Sequence, residues 1–579
     1  MSTPTPTGDG RSVGRSNGHS NGQAGGRSFL EPDQEMLTRL TRLAGQVLGG
    51  LATTESPVRR DSLPTDQMLT EAEQDAAAQR LSALAPPAAP SPPTAPVPVA
   101  TQPGQASYYF VDEAPSSLPA ISPEAGPDPA AQAPAWAAAP SSTSPAAPGP
   151  GDAVFMVDAV RSDFPMLTER VNGRPLVWLD NAATTHKPQP VIDRLRQFYA
   201  HENSNIHRGA HSLATQATDA YEDARAKVAD FLGAATADSI VFTRGTTESV
   251  NLVAQTWGRA NIGPGDEIMI SQLEHHANIV PWQLLAEQTG ATIKVIPVDE
   301  DGELRLDSYL GMLGKRSKMV AVAHVSNVLG TIVPIGPMIA AAHQAGARVL
   351  VDGAQAVAHL PVRVGQLDAD FYTFSGHKIY GPTGIGALYA KPELLAEMPP
   401  WQGGGNMISD VTFERTSYQS GPAKFEAGTG NIADAIGLGA ALDYVTQIGL
   451  PAICAYEHQL LDYGMRQIAA VPGLRLIGTA PQKASVLTFA LDGHDPAEVG
   501  EALDREGIEV RSGHHCAQPI LRRFGLESAV RPSLAMYNTY AEVDLLVAAL
   551  SKIAASGGSG KIAASGSRDS RPGPIAYLS

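Results

Sequence analysis

Short apolar runs recur along the chain at 240–243, 267–271, 292–297, 319–324, 348–352, 370–374 and 386–389. Their length and composition read as buried strands. Between several of them apolar positions return every third or fourth residue, as over 277–288 and 337–345, which predicts helices packed by one face. Strand and helix alternating in this way imply an α/β fold, a mainly parallel sheet with helices on both faces. From about 430 the pattern shifts. Helices are expected around 432–448 and 452–470, then a strand over 485–491. The segment 426–555 therefore reads as a smaller C-terminal α+β domain behind a large domain at 151–425, whose first residues, 151–172, form an arm packed on the small one.

Residues 1–150 follow another rule. Pro, Ala, Ser and Gly dominate, and half of the 46 prolines lie there. Such a tract lacks the large side chains that could offset the entropy of ordering its backbone, so it is expected to be a disordered extension. Two islands interrupt it. Residues 33–48 place Met36, Leu37, Leu40, Leu43, Val47 and Leu48 at helical spacing, and 107–113 (SYYFVDE) form an aromatic cluster. Islands of this kind either dock on a partner or pack on the chain's own globular part. The tail, 556–579, repeats KIAASG and is expected to be flexible.

Charge narrows the function. With 42 basic and 59 acidic residues the net charge is -17, which disfavours nucleic acid and anionic membrane as partners. No apolar run approaches the ~20 residues of a membrane span, and 1–29 lack the apolar core of a secretory signal. The two cysteines, Cys454 and Cys516, can build neither a disulfide framework nor a four-cysteine zinc site. A cytoplasmic protein without a metal is expected.

Three passages carry candidate chemistry. In DFYTFSGHKIYGPTGIG (370–386) an apolar strand runs into Ser375, Gly376, His377 and Lys378. A lysine directly after a buried strand is placed for partial desolvation, the condition for a Schiff-base amine, although a lysine beside a surface turn gives the same letters. The glycines there precede a strand, so they fail as a dinucleotide fingerprint. In RVLVDGAQ (348–355) Asp352 closes a strand at the end where α/β sheets bind ligands, and a carboxylate there can hold a pyridine nitrogen protonated. In FTRGTTES (242–249) Gly245, Thr246 and Thr247 open a helix and offer N–H groups and hydroxyls to a phosphate, or simply cap it. Cys516 follows Gly513, His514 and His515, a polar, exposed and mobile context in which imidazoles and Arg511 favour thiolate. Cys454, next to Ile453 on a helix, reads as a core residue.

These passages, together with DNAATTHKP (180–188), EHHANIVPW (274–282), HVSNVLGT (324–331), FEAGTGN (425–431), RSGHHCAQP (511–519) and RPSLAMYNT (531–539), resemble the type II, SufS-like cysteine desulfurases from about 154 to 553. These are fold-type I pyridoxal-phosphate enzymes. The resemblance implies that Lys378 carries pyridoxal 5'-phosphate as a Schiff base and His275 stacks on its ring. Asp352 would pair with the ring nitrogen and Gln355 with the phenolic oxygen. Thr246, Thr247, Ser375 and His377 would hold the phosphate, with Thr429 reaching it from the neighbouring subunit of a homodimer. Asn327 and Arg531 would grip the carboxylate of L-cysteine, beside Arg511 and Ala183. His207 and Arg208 would lie near the entrance, and Cys516 would take the sulfur. Gly430 departs from the family, which commonly has proline there.

The activity implied is conversion of L-cysteine to L-alanine, with sulfur passing to Cys516 and on to an acceptor protein. A selenocysteine lyase, or a cysteine β-lyase feeding iron–sulfur assembly, shares the fold. A non-catalytic scaffold is disfavoured by the intact Lys378, Asp352, His275 and Cys516. The 1–150 extension is similar to the cargo-loading segments of desulfurases housed in family 2 encapsulin shells. A membrane-surface helix and a proline-rich ligand compete with that reading. Few arginines flank the first island, which disfavours the membrane.

Overall fold

In the computed structural model the described residues are 155–557, except Arg208 and Ala210. The expectations for 1–150, for Arg208 and for the tail beyond 557 lie outside them. All seven apolar runs are strands of one sheet: β1 (Ile240–Thr243), β2 (Glu267–Ser271), β3 (Thr292–Ile296), β4 (Ser317–Ala323), β5 (Arg348–Asp352), β6 (Phe371–Ser375) and β7 (Gly386–Ala390). Their order is β1-β7-β6-β5-β4-β2-β3. From β6 to β3 every pairing is parallel. Only β7 runs against its neighbours β6 and β1.

The strands read as continuous apolar runs because both faces of the sheet are covered. Val320, Val322, Val349, Val351, Tyr372 and Phe374 join one core cluster. The alternate positions Met319, Ala321, Leu350 and Phe371 join the cluster on the other face. Strand β3, at the sheet's edge, is only partly buried and ends at Ile296.

Around the sheet lie α1 (Ser212–Leu232), α2 (Thr246–Val253), α3 (Val280–Thr289) and α4 (Ile335–Ala345). The helix expected from 277 begins later, because His276–Asn278 forms a separate 3-10 turn. Two long helices follow, α5 (Ile432–Ile448) and α6 (Leu450–Ala469). No single helix among the described residues is long and apolar enough to cross a membrane.

A second, antiparallel sheet comprises β8 (Leu474–Leu476), β9 (Phe489–Leu491), β10 (Arg511–Gly513) and β11 (Ala529–Arg531), in the order β8-β9-β11-β10. It packs with α6 and α7 (Tyr540–Ala555) around Leu460, Phe489, Val530 and Leu546. The strand expected over 485–491 is shorter than its apolar run. Leu487 N–H donates to Pro532 O at 2.9 Å, but Pro532 has no N–H to return, so the ladder breaks there. The residues entering the fold meet this unit: Phe155 stacks on Tyr456 at 4.5 Å, and Arg161 pairs with Glu542 at 3.0 Å. Val177–Trp178 runs parallel to Ile508–Glu509.

Gly386 opens β7 where it is pressed from both sides. A Cβ there would lie 2.4 Å from Phe374 O and 2.6 Å from Gly245 Cα, both backbone atoms that cannot swing away. Gly386→Ala should therefore lower stability by about 1–3 kcal/mol, the usual cost of overpacking. A thermal melt reads this as a lower midpoint, and an unchanged midpoint would show that the sheet gives way there.

Candidate active site

The parallel strands end side by side, at Ser271, Ala323, Asp352 and Ser375, the edge at which open α/β sheets bind ligands. A cavity of about 210 Å³ opens there. Its wall holds Lys378, His275, Asp352 and Gln355 and, towards α2, Thr246, Thr247, Ser375 and His377. Ala183, Asn327, Arg511, Arg531 and Cys516 complete it. Thirteen sequence-predicted residues thus meet in one place. Thr429 and His207 do not line it. Thr429 is exposed beside a second cavity of about 500 Å³, and His207 is engaged with Glu222 at 3.0 Å and Asn406 at 3.2 Å.

The end near α2 is built for an anion. Gly245, at φ +143°, lets the chain turn from β1 into the helix. Ser375 Oγ accepts from Thr246 N at 3.0 Å and donates to Thr246 Oγ1 at 3.1 Å, which locks the helix start to the end of β6. The helix dipole and unspent N–H groups favour negative charge there. Burial, with Lys378 and Lys187 nearby, pushes the His377 imidazole down to about 4, so it is neutral.

Deeper in, burial raises the Asp352 carboxyl, against the pull of the Ala354 N–H and of Lys378. It accepts from Ala354 N at 2.9 Å. Such a carboxylate suits a protonated ring nitrogen, which would restore its charge balance. His275 lies across the same space. Burial, then Lys378, His276 and the two arginines, hold its imidazole down at about 3. Its Nδ1 accepts from Ala277 N at 3.0 Å, which leaves the proton of the neutral ring on Nε2. Gln355 spends one amide proton on Ala182 O at 2.6 Å.

Sequence reasoning missed Glu274, which fixes the His275 loop. Fully buried, it accepts from Asn278 Nδ2 at 2.7 Å, from Ala323 N at 3.0 Å and from Ser271 Oγ, joining the ends of β2 and β4. Its only sequence signal was its place at the head of EHHAN.

The Lys378 amine is pushed down to about 8. Burial is the largest cause and Arg531 and Arg511 add to it, while Asp352 and Cys516 pull the other way. The arginines face each other across β11 and β10. Arg531 is 2% exposed, donating to Asn327 O at 2.9 Å and to Asp180 at 3.0 Å. Its Nε and Asn327 Oδ1 are buried without partners. A guanidinium on the wall of a cavity, its charge only part-balanced by Asp180, invites a carboxylate.

Cys516 departs from its expected exposed, mobile setting. It is half-buried, and its carbonyl accepts from His276 N at 2.8 Å. The preceding carbonyl, of His515, accepts from Asn327 Nδ2 at 2.8 Å. The expectation failed because tertiary partners, invisible in the local sequence, satisfy this loop's backbone. Cys454 is half-buried on α6 rather than fully in the core, and burial raises its thiol to about 11.

A buried low-pKa lysine, a carboxylate at a strand end and a helix-capped anion cradle fit pyridoxal phosphate, and with this sheet they define a fold-type I pyridoxal-phosphate enzyme. Residues 177–546 match the family described as Aminotransferase class-V. A probable cysteine desulfurase of Mycolicibacterium paratuberculosis is 63% identical over 404 residues, 70% of this chain and 59% of that one. The cysteine desulfurase of Dickeya dadantii is 52% identical over 69% of this chain and 97% of its own. The crystal structure of the Escherichia coli cysteine desulfurase CsdA (S-sulfonic acid) superposes with a TM-score of 0.66 at 41% identity, covering 70% of this chain and 100% of that one. The chain belongs to the class-V aminotransferases and, among them, to the cysteine desulfurase family. It spans about six tenths of the length of the mycobacterial relative, 59%.

The lowered Lys378 amine generates a pH prediction. Its folded value, about 8, lies below the ordinary 10.5, so the free, nucleophilic amine accumulates as pH rises through about 8. Covalent capture of pyridoxal phosphate by cofactor-free protein, followed by absorbance, should accelerate across that window and then level off. A rate still climbing steeply near pH 10 would mean that the amine is not depressed.

Proposed function

We propose that the protein is a type II, SufS-like cysteine desulfurase, converting L-cysteine to L-alanine and leaving the sulfur on Cys516 as a persulfide. The observation that carries this is the meeting of Lys378, Cys516 and Arg531 around one cavity of about 210 Å³. Arg531 and Asn327 hold the substrate carboxylate. Thr246, Thr247, Ser375 and His377 hold the cofactor phosphate, Asp352 its ring nitrogen, Gln355 its phenolic oxygen, and His275 covers its face. Bound pyridoxal phosphate supplies a sink for the electron pair left at Cα. Lys378 Nζ removes the Cα proton and can return it. Cys516 thiolate attacks the substrate sulfur. An S–S bond forms as the Cβ–S bond breaks, and its electron pair stays on carbon, where a proton completes the methyl group of alanine. His275 holds a proton on Nε2 within the same space. The persulfide then serves an acceptor protein.

Lys378→Ala should lose the cofactor's lysine absorption band and at least about 10²–10⁴-fold of turnover. Cys516→Ala should keep the band yet gain no sulfur when exposed to L-cysteine, while the unaltered protein gains one sulfur atom at Cys516 by mass spectrometry. Persulfide turnover in Cys516→Ala would sink the assignment.

The enzyme is further proposed to act as a homodimer, with Thr429 of each chain completing the neighbouring phosphate site. In the cytoplasm, residues 1–150 would load it into an encapsulin shell, two extensions per dimer adding avidity. The support is a Pro- and Ala-rich tract that carries two apolar islands, on an enzyme whose motifs all lie after 154. Co-expression with a family 2 encapsulin shell protein should package the full chain and exclude one starting at Gly151. Equal packaging of the two would remove this role.

A further inference from the structure

His515 and Cys516 are adjacent non-glycine residues with positive φ, +53° and +54°. L-residues avoid this region because Cβ crowds the neighbouring carbonyl, and two in succession persist only where the surroundings hold them. Two of the holding bonds act on carbonyls, those of Cys516 and His515, as described above. The N–H groups of the turn go elsewhere. Cys516 N donates to His514 Nδ1 at 3.1 Å, and Ala517 N donates to His514 O at 3.0 Å. One residue thus takes both N–H groups, its side chain standing in for a backbone carbonyl as Asn and Asp side chains do in turns.

The ring is itself held. It lies on the His276 ring, centroids 5.9 Å apart and planes 28° apart. His276 is fastened to the same loop, donating from its N–H to Cys516 O at 2.8 Å and accepting at Nε2 from Gln518 N at 3.4 Å. His514 does not line the cavity. Its direct link to the cavity is the Cys516 amide that it holds.

We infer that His514 is a positioning residue for sulfur transfer: its Nδ1 holds the Cys516 amide in the left-handed turn that keeps the thiol at the cavity. The inference rests on the desulfurase reading. It differs from an acid–base role because the ring nitrogen facing the cysteine is an acceptor already occupied by an amide.

Asparagine provides the test, since its Oδ1 stands where His Nδ1 does and accepts from the same N–H. In the full-length holoenzyme, His514→Ala should keep the cofactor band and the KM for L-cysteine. It should lose about tenfold in kcat and in the rate of persulfide formation, the scale of one hydrogen bond. Without substrate, iodoacetamide should alkylate Cys516 several-fold faster in His514→Ala, with Cys454 as the internal reference. His514→Asn should match the unaltered protein in both measurements. An alanine variant indistinguishable from the unaltered protein overturns the inference. So does an asparagine variant as impaired as alanine, which would assign proton transfer to the ring. If the unaltered protein forms no persulfide, the desulfurase reading falls, and the alkylation rates still decide whether His514 anchors the loop.

Discussion

Burial is what chiefly loosens the proton of Lys378, and Asp352, Arg531 and Arg511, which share its cavity, adjust that balance. Two guanidiniums opposite one another across β10 and β11 repel. Asp180 compensates one end of Arg531, and the rest of that positive charge stays unspent. It weakens the hold of Lys378 on its proton, and it makes a site for a carboxylate. An amino-acid substrate would answer both effects at once, filling the arginine site and easing the pressure on the amine. On the proposed reading, the chemistry of the lysine and the recognition of the substrate are one electrostatic arrangement.

The scaffold delivers these groups through strand ends. Because β7 runs antiparallel between β6 and β1, it brings the Gly245 turn against the Ser375 end of β6. The anion cradle and the lysine that follows β6 are therefore placed by the same three strands. On the other side of β5, Glu274 ties β2 to β4 and carries His275 over the same space. Asp352 ends β5 between the two.

Much of this was legible because periodicity reports burial. The seven runs of the main sheet are apolar on both faces, and each one is a strand. Helix α5 was read to its residue limits, 432–448. The strand at 485–491 was over-read because residues 485–488 are buried and bonded to the neighbouring chain without a continuous ladder, which Pro532, distant in sequence, interrupts. The residues gathered at the cavity were recognisable because they lie in motifs of fixed order, at strand ends and helix starts. Glu274 and Asp180 escaped because their work is to hold other side chains, and nothing local in the sequence marks such a partner. The setting of Cys516 was misjudged for the same reason. A Gly-His-His-Cys stretch looks mobile until His276 and Asn327, each about two hundred residues away, take its carbonyls.

Those long-range bonds join the two sheets across the reaction. Lys378, Asp352 and His275 come from the main sheet, while Arg511, Arg531 and Cys516 come from β10, β11 and the loop after β10. Asn327, following β4, links the groups: its carbonyl accepts from Arg531 and its amide donates to His515 O. One residue of the large sheet is bonded both to the residue that would grip the carboxylate and to the loop that would receive the sulfur. In a three-carbon substrate the carboxylate and the thiol lie a few bonds apart, so holding one end fixes the reach needed at the other. A displacement of the small sheet would carry Arg531 and Cys516 together, because β11 pairs with β10 and the Cys516 loop follows β10, and it would strain both bonds to Asn327 at once.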